Sequence, residues 1–373
     1  MQSSAGIKRF GNHENAFGFL RLFFASLVIV SHTPELVDGN RNRELLTRFF
    51  GTISFGELAV DAFFLISGYL ILGSYLKLPK VWPYLSKRIA RLYPAFIVAS
   101  FLSFALVAPL SGGSAALAHL TTWIKSVVWM ALLQPPVVPG SFVGSSVPVL
   151  NDAMWTIAYE FRCYLLVLAL GLMGAFRYPR VIVALAVGCL ALYQIIPSTF
   201  WQGGWGVHHI DAVLGNPGPS RRLTGIYLMG CVFFLYRDSI KFTREAVAIA
   251  AIVLFGSLFI PWAAEPAVAT FGAYIIFAVA QGKVGVLNRI NNRNDISYGV
   301  YLYAWPIEQL LMWYWPGLPL LALGLLTFAI ACGCGWLSWL YVERPVMRLL
   351  RQPDNPRRTD GAAVIYSGAL GQS

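Results

Sequence analysis

The stretch Phe17 to His32, FGFLRLFFASLVIVSH, places a cation and an imidazole in one apolar helix. Arg21 and His32 are eleven residues apart, about three turns plus 20°, so both side chains fall on one face, roughly 16 Å apart along the axis. That is about half the thickness of a bilayer's hydrocarbon core. A site could therefore have a cation near one membrane surface and an imidazole deep inside or near the other. A guanidinium binds phosphate through paired hydrogen bonds, and an imidazole gains and loses a proton near neutral pH. Other candidates are ionisable groups in apolar stretches, since an Arg, Asp or Lys at the centre of a membrane helix costs about 2.5 to 3.5 kcal/mol. They are Glu57, Asp61, Asp152, Glu160, Arg162, Asp295 and Glu308. Tyr84 to Pro94, YLSKRIARLYP, adds Arg88 and Arg91 on one helix face with Lys87 beside them. Such a group either clamps the phosphates of an anionic cofactor or anchors the chain to lipid headgroups.

The elements that must position these groups are membrane helices. Hydrophobic residues make up 57% of the chain and charged residues only 12%, where an ordinary soluble domain has about 25% charge. The net charge of +11 falls in short clusters between apolar spans, which argues for a membrane surface and against nucleic acid. The apolar segments predict an all-α integral membrane protein of about ten transmembrane helices: 17–33, 56–76, 93–110, 154–174, 181–199, 223–236, 245–262, 267–281, 295–316 and 318–340. Both termini are expected in the cytoplasm. In that threading the inner segments carry basic clusters such as Lys77, Lys80, Lys87, Arg88 and Arg91 or Arg344, Arg348 and Arg351. The outer ones hold only Arg41, Arg43, Arg48, Lys125, Arg221 and Arg222. The first helix is read as retained rather than as a cleaved signal, because Arg21 interrupts it and no A-x-A site follows.

Leu120 to Val138 is apolar but holds Lys125 and ends near Pro135-Pro136. It reads as an interfacial or re-entrant helix, since a further span would put the later basic clusters outside. Residues 1–350 are expected to form a single membrane domain and 351–373 a polar, disordered tail. The five cysteines lie in apolar spans without metal-ligand spacing, so no metal is expected. The absence of a P-loop, G-x-S-x-G or HExxH disfavours nucleotide hydrolysis and zinc chemistry.

Several of these stretches together resemble the membrane-bound acyltransferase family 3, which includes bacterial O-acetyltransferases of surface polysaccharide and lipopolysaccharide. Arg21 and His32 form its R-x10-H pair, and VDAFFLISGYLI (Val60 to Ile71) is similar to its second-helix signature. Lys87 to Pro94 matches its RxxR turn, and NDAMWTIAYEFRCY (Asn151 to Tyr164) its N-x-x-x-W-x-x-x-x-E-x-x-x-Y helix. ISYGVYLYAWP (Ile296 to Pro306) and YVERP (Tyr341 to Pro345) fit the last two helices. Ala304 stands where many members have a histidine, and no SGNH hydrolase-like domain is expected.

The resemblance implies transfer of an acyl group, most often acetyl from acetyl-CoA or another acyl-CoA, to a hydroxyl of a cell-surface or exported carbohydrate. It also implies a multi-pass protein of the bacterial inner membrane. Arg21, Arg88 and Arg91 would bind the anionic end of the donor. His32 would act as general base or as acyl carrier, with Asp61 or Glu160 orienting it. Trp155, Asn151 and Trp205 would line the acceptor site, since aromatic faces with polar neighbours suit sugars. A proton-coupled transporter and a structural membrane protein are the rival readings. The first lacks a visible inverted repeat, and the second would tolerate His32→Ala and Arg88→Ala.

Overall fold

The computed structural model describes residues 15–196, 215–282 and 285–350, which fold into helices with no strand among them. Helix α1 spans Phe17–Asp38 and ends at Gly39, whose left-handed backbone (φ 75°) lets its N–H close on the Glu35 carbonyl. A short α2 (Leu45–Phe50) leads to α3 (Phe55–Lys77). Ser54 and Glu57 cap α3 reciprocally, which accounts for one acidic candidate as a helix-start residue.

Helix α4 (Val81–Leu102) runs through a π-helical stretch, Ser103–Val107, into α5 (Ala108–Leu110). Helix α6 is Leu120–Ala131, α7 Trp155–Leu172, α8 Pro179–Ile195, α9 Pro217–Leu235 and α10 Arg244–Ser257. Helix α11 (Pro261–Ala267) continues through Val268–Gly272 into α12 (Ala273–Gln281). Helix α13 is Ser297–Tyr314, and α14 (Leu320–Ser338) continues through Trp339–Glu343 into α15 (Arg344–Leu349).

Among the described residues, six continuous helices are long and apolar enough to cross a bilayer: Phe17–Asp38, Phe55–Lys77, Val81–Leu110, Asp152–Leu172, Pro261–Gln281 and Leu320–Leu349. Helix α6, at 12 residues, is only about 18 Å long and buries little beyond Ser126. At that length it is too short to cross the hydrocarbon core as a helix.

Three boundaries differ from the sequence reading, each with a consequence for the site. Helix α1 continues through Pro34 to Asp38, which puts Glu35 on the helix. Helix α4 starts at Val81 rather than 93, so Arg88 and Arg91 share a helix face as expected but lie well inside the helix instead of at its start. Helix α9 starts at Pro217, capped by the Asn216 side chain, so Arg221 and Arg222 are helical rather than in an outer loop.

Small residues let the helices around the site approach closely. A methyl group added at Gly68 of α3 would lie 2.0 Å from the Tyr227 carbonyl of α9, and one at Gly230 would lie 2.1 Å from the Leu65 carbonyl. Both clashes are with backbone, so Gly68→Ala is expected to separate α3 from α9 at a cost of about 1 to 3 kcal/mol. The measurement is the melting temperature of the detergent-purified protein. An unchanged value would contradict this packing.

Candidate functional site

His32 sits on the penultimate turn of α1 with Glu35 three residues on, and helical spacing brings the two side chains together. Nδ1 of His32 is 3.1 Å from Oε2 of Glu35. The other Glu35 oxygen, Oε1, accepts from Arg41 Nε at 2.6 Å. A carboxylate has no hydrogen to give, so Nδ1 carries a hydrogen, and in the neutral ring Nε2 is then the nitrogen with the lone pair. The indole of Trp305 meets the imidazole edge to face, ring centroids 4.8 Å apart, and Trp305 Nε1 is tied to the Val149 carbonyl at 3.2 Å. The His32 side chain remains 17% exposed, which leaves Nε2 a route to a reactant. Asp152 lies within electrostatic range of His32, Glu35 and Arg41.

Neither Asp61 nor Glu160 holds this imidazole. Asp61 is fully buried and accepts from Arg222 Nη2 at 2.7 Å, while Arg222 Nε lies 2.6 Å from Glu265 Oε1. That triad ties α3, α9 and α11 together. Glu160, on α7, accepts from Ser67 Oγ at 2.8 Å and from Tyr164 Oη at 2.6 Å, so it faces α3. The carboxylate that sequence reasoning missed is Glu35. Its signal was the HTPE run, with an acid three residues past the histidine, hidden because Pro34 reads as a helix end.

Asn151 is buried and donates through Nδ2 to the Leu302 carbonyl at 2.8 Å, fastening the approach to α7 onto α13. Trp155 begins α7, half-buried, with its ring edge to face on Tyr159 at 5.4 Å. Trp205 lies outside the described residues, as does the tail 351–373.

At the other end of α1 the arginines divide into two kinds. Arg21 Nη2 is 3.2 Å from Asp295 Oδ2, and Arg91 Nη2 is 2.6 Å from the same oxygen. Arg91 Nη1 donates to Glu343 Oε2 at 3.0 Å. Asn291 and Ser297 complete Asp295 by donating to its Oδ1 at 2.9 and 2.5 Å. Two cations are thus balanced by two carboxylates, joining α1, α4, α13 and the last helix. Arg88 has no carboxylate among the described residues. Its Nη2 is 3.3 Å from Ser74 Oγ, and its guanidinium lies over the rings of Tyr84 and Tyr164, at 5.7 and 5.8 Å. The net positive charge here therefore resides on Arg88 and the exposed Lys87. Between the two ends run Tyr164, Glu160 and Ser67, and then Thr156 with its hydroxyl 2.7 Å from Tyr301 Oη.

The apolar helices of this membrane protein carry a carboxylate-held imidazole at one end and, at the other, a guanidinium with no carboxylate partner among the described residues. The chain belongs to the acyltransferase family 3, whose acyltransferase domain it matches over residues 14–339. It is accordingly an acyltransferase. It is similar to an O-acetyl transferase of Shigella phage Sf6, 24% identical over 352 residues that cover 88% of this chain and 95% of that protein. It is also similar to nodulation protein 10 of Rhizobium leguminosarum bv. viciae, 26% identical over 370 residues that cover 90% of this chain and 94% of that protein. No solved structure matches.

Proposed function

We propose that this acyltransferase moves an acetyl group from acetyl-CoA to a hydroxyl of a cell-surface or exported carbohydrate, with His32 as general base. The observation that carries the reading is the Glu35 carboxylate 3.1 Å from Nδ1, which leaves Nε2 as the basic nitrogen. His32 Nε2 takes the proton of the acceptor hydroxyl as that oxygen attacks the thioester carbonyl. The carbon–sulfur bond then breaks, and the imidazolium returns the proton to the departing thiolate. Glu35 and Arg41 hold the ring throughout and stabilise its charged form.

Arg88, with Lys87, binds the donor phosphates. Arg21 and Arg91, already balanced by Asp295 and Glu343, hold the frame around them. Asp61 and Glu160 serve the same scaffold from α3 and α7. In this reading Trp155 serves the acceptor side, with Asn151 holding the approach to its helix, and Trp205, the third residue expected there, lies outside the described residues. The orientation in this reading is ten spans with both termini in the cytoplasm of a bacterial cell and the chain in the inner membrane, supported by the placement of its basic residues. The match to an acyltransferase family favours acyl transfer over the transport of a solute. The name of the phage relative supports the acetyl donor and oxygen acceptor.

The test uses membranes containing the protein and acetyl-CoA labelled in its acetyl group. Transfer of label to carbohydrate is expected with the wild type. Arg88→Ala is expected to raise KM for acetyl-CoA by about tenfold or more, the value of a hydrogen bond to a charged group, with a much smaller effect on kcat. Arg88→Lys should recover part of the loss. An Arg88→Ala enzyme with unchanged KM would place the phosphates elsewhere.

A further inference from the structure

Glu308 is an acidic side chain bonded to the residue after His32, and its surroundings are opposite to those of Glu35. It lies on α13 one turn beyond Trp305, 1% exposed. Its Oε1 is 2.5 Å from the hydroxyl of Thr33, the residue after His32. Its Oε2 is buried and has no hydrogen-bond partner among the described residues. Among the described residues no charged group faces it. From α1 come Thr33 and the Ile29 carbonyl, and from α13 itself Gln309, whose amide is spent on the Val147 and Val149 carbonyls. From α14 comes Gly324, beside the Thr33 hydroxyl.

The hydrogens decide the protonation state. Thr33 Oγ1 has one hydrogen and two neighbouring oxygens, the Ile29 carbonyl at 2.8 Å and Glu308 Oε1 at 2.5 Å. The carbonyl can only accept. If the hydroxyl hydrogen goes to Ile29, the hydrogen between Thr33 and Glu308 comes from the carboxyl. An ionised Glu308 would have one shared donor, no cation and a wholly unpartnered buried oxygen, the costliest state for such a group.

We propose that Glu308 is held as a neutral carboxylic acid that donates to Thr33 Oγ1, a positioning residue bracing the turn of α1 that carries His32. Two acids that touch the same stretch of α1 thus have different tasks. Glu35, paired with Arg41, supplies negative charge to the ring, and Glu308 supplies a rigid hydrogen bond without charge. The Thr33 contact and the Trp305 packing on the imidazole arise from the same face of α13, so one helix sets the depth of His32 from two points.

The test is infrared spectroscopy of the purified protein at neutral pH, comparing wild type with Glu308→Gln. The difference spectrum is expected to show loss of a carboxylic-acid carbonyl band that shifts in deuterium oxide. Loss of carboxylate bands instead would overturn the proposal. This arm is independent of any activity. A second arm rests on His32 being the base and reads label transfer from acetyl-CoA. Glu308→Ala should lower kcat by about tenfold through misplacement of the imidazole, with KM for acetyl-CoA unchanged. Glu308→Gln, which keeps a donor for Thr33, should rescue most of that loss and leave the pH–rate profile in place. A displaced acidic limb in Glu308→Gln would mean that Glu308 was charged, and would overturn the proposal as well. Absence of transfer in every protein, with the infrared result as expected, would count against the reading of His32 and not against the state of Glu308.

Discussion

Replacing His32 with alanine is expected to lower the initial rate of acyl transfer by about 10² to 10⁴-fold, the usual contribution of a positioned base. Folding and membrane insertion should be kept. The ring is partly exposed and its Nδ1 contact is local, to Glu35 on the same helix. KM for acetyl-CoA should change little, since the proposed site for the donor's charge is Arg88, which makes no described contact with His32. Glu35→Gln is expected to be damaging for a separate reason. An amide can donate to Nδ1, which moves the ring hydrogen to Nε2 and removes the lone pair the reaction needs. Because the two residues act as one unit, the double variant should be no slower than His32→Ala alone. Initial rates of label transfer, normalised to protein in the membrane, check all three. Additive losses would show that Glu35 acts elsewhere.

Removing Arg91 is expected to have the largest effect on stability. Glu343 has a side chain with 0% exposure, and Arg91 is its cationic partner. Asp295 would keep only Arg21 of its two guanidinium groups. Stripping one partner from such a buried pair costs about 3 to 5 kcal/mol. Arg91→Ala should therefore melt at a markedly lower temperature in detergent, or fail to accumulate. Arg88→Ala, with no carboxylate to orphan, should melt close to the wild type. Combining Arg91→Met with Glu343→Gln removes both charges and should restore part of the loss, a coupling of about 0.5 to 3 kcal/mol. Equal melting temperatures for Arg91→Ala and the wild type would contradict the reading of these four residues as a closed network.

The apolar segments were legible because a helix in hydrocarbon must satisfy its backbone internally and cover it with apolar side chains. What misled was the charge. Arg88, Arg91 and Arg222 read as markers of loops and helix starts, yet each lies within a helix. Arg91 and Arg222 are held by Asp295, Glu343, Asp61 and Glu265, acids far away in sequence. No local pattern reveals such a partner. Glu35 escaped notice through Pro34, which α1 absorbs near its C-terminal end instead of stopping. The R-x10-H spacing did forecast one face of one helix, and the structure places Arg21 and His32 in separate networks toward its two ends. The distinction between balanced and unbalanced arginines depends on three-dimensional pairing, and so does the Thr33 contact of Glu308.

The account stands most directly on mass spectrometry of surface carbohydrate from cells making the wild type or His32→Ala, with membrane protein levels matched. An acetyl mass increment with the wild type, absent with His32→Ala, is the predicted result. The same increment with both proteins would contradict the assignment of His32 as the base.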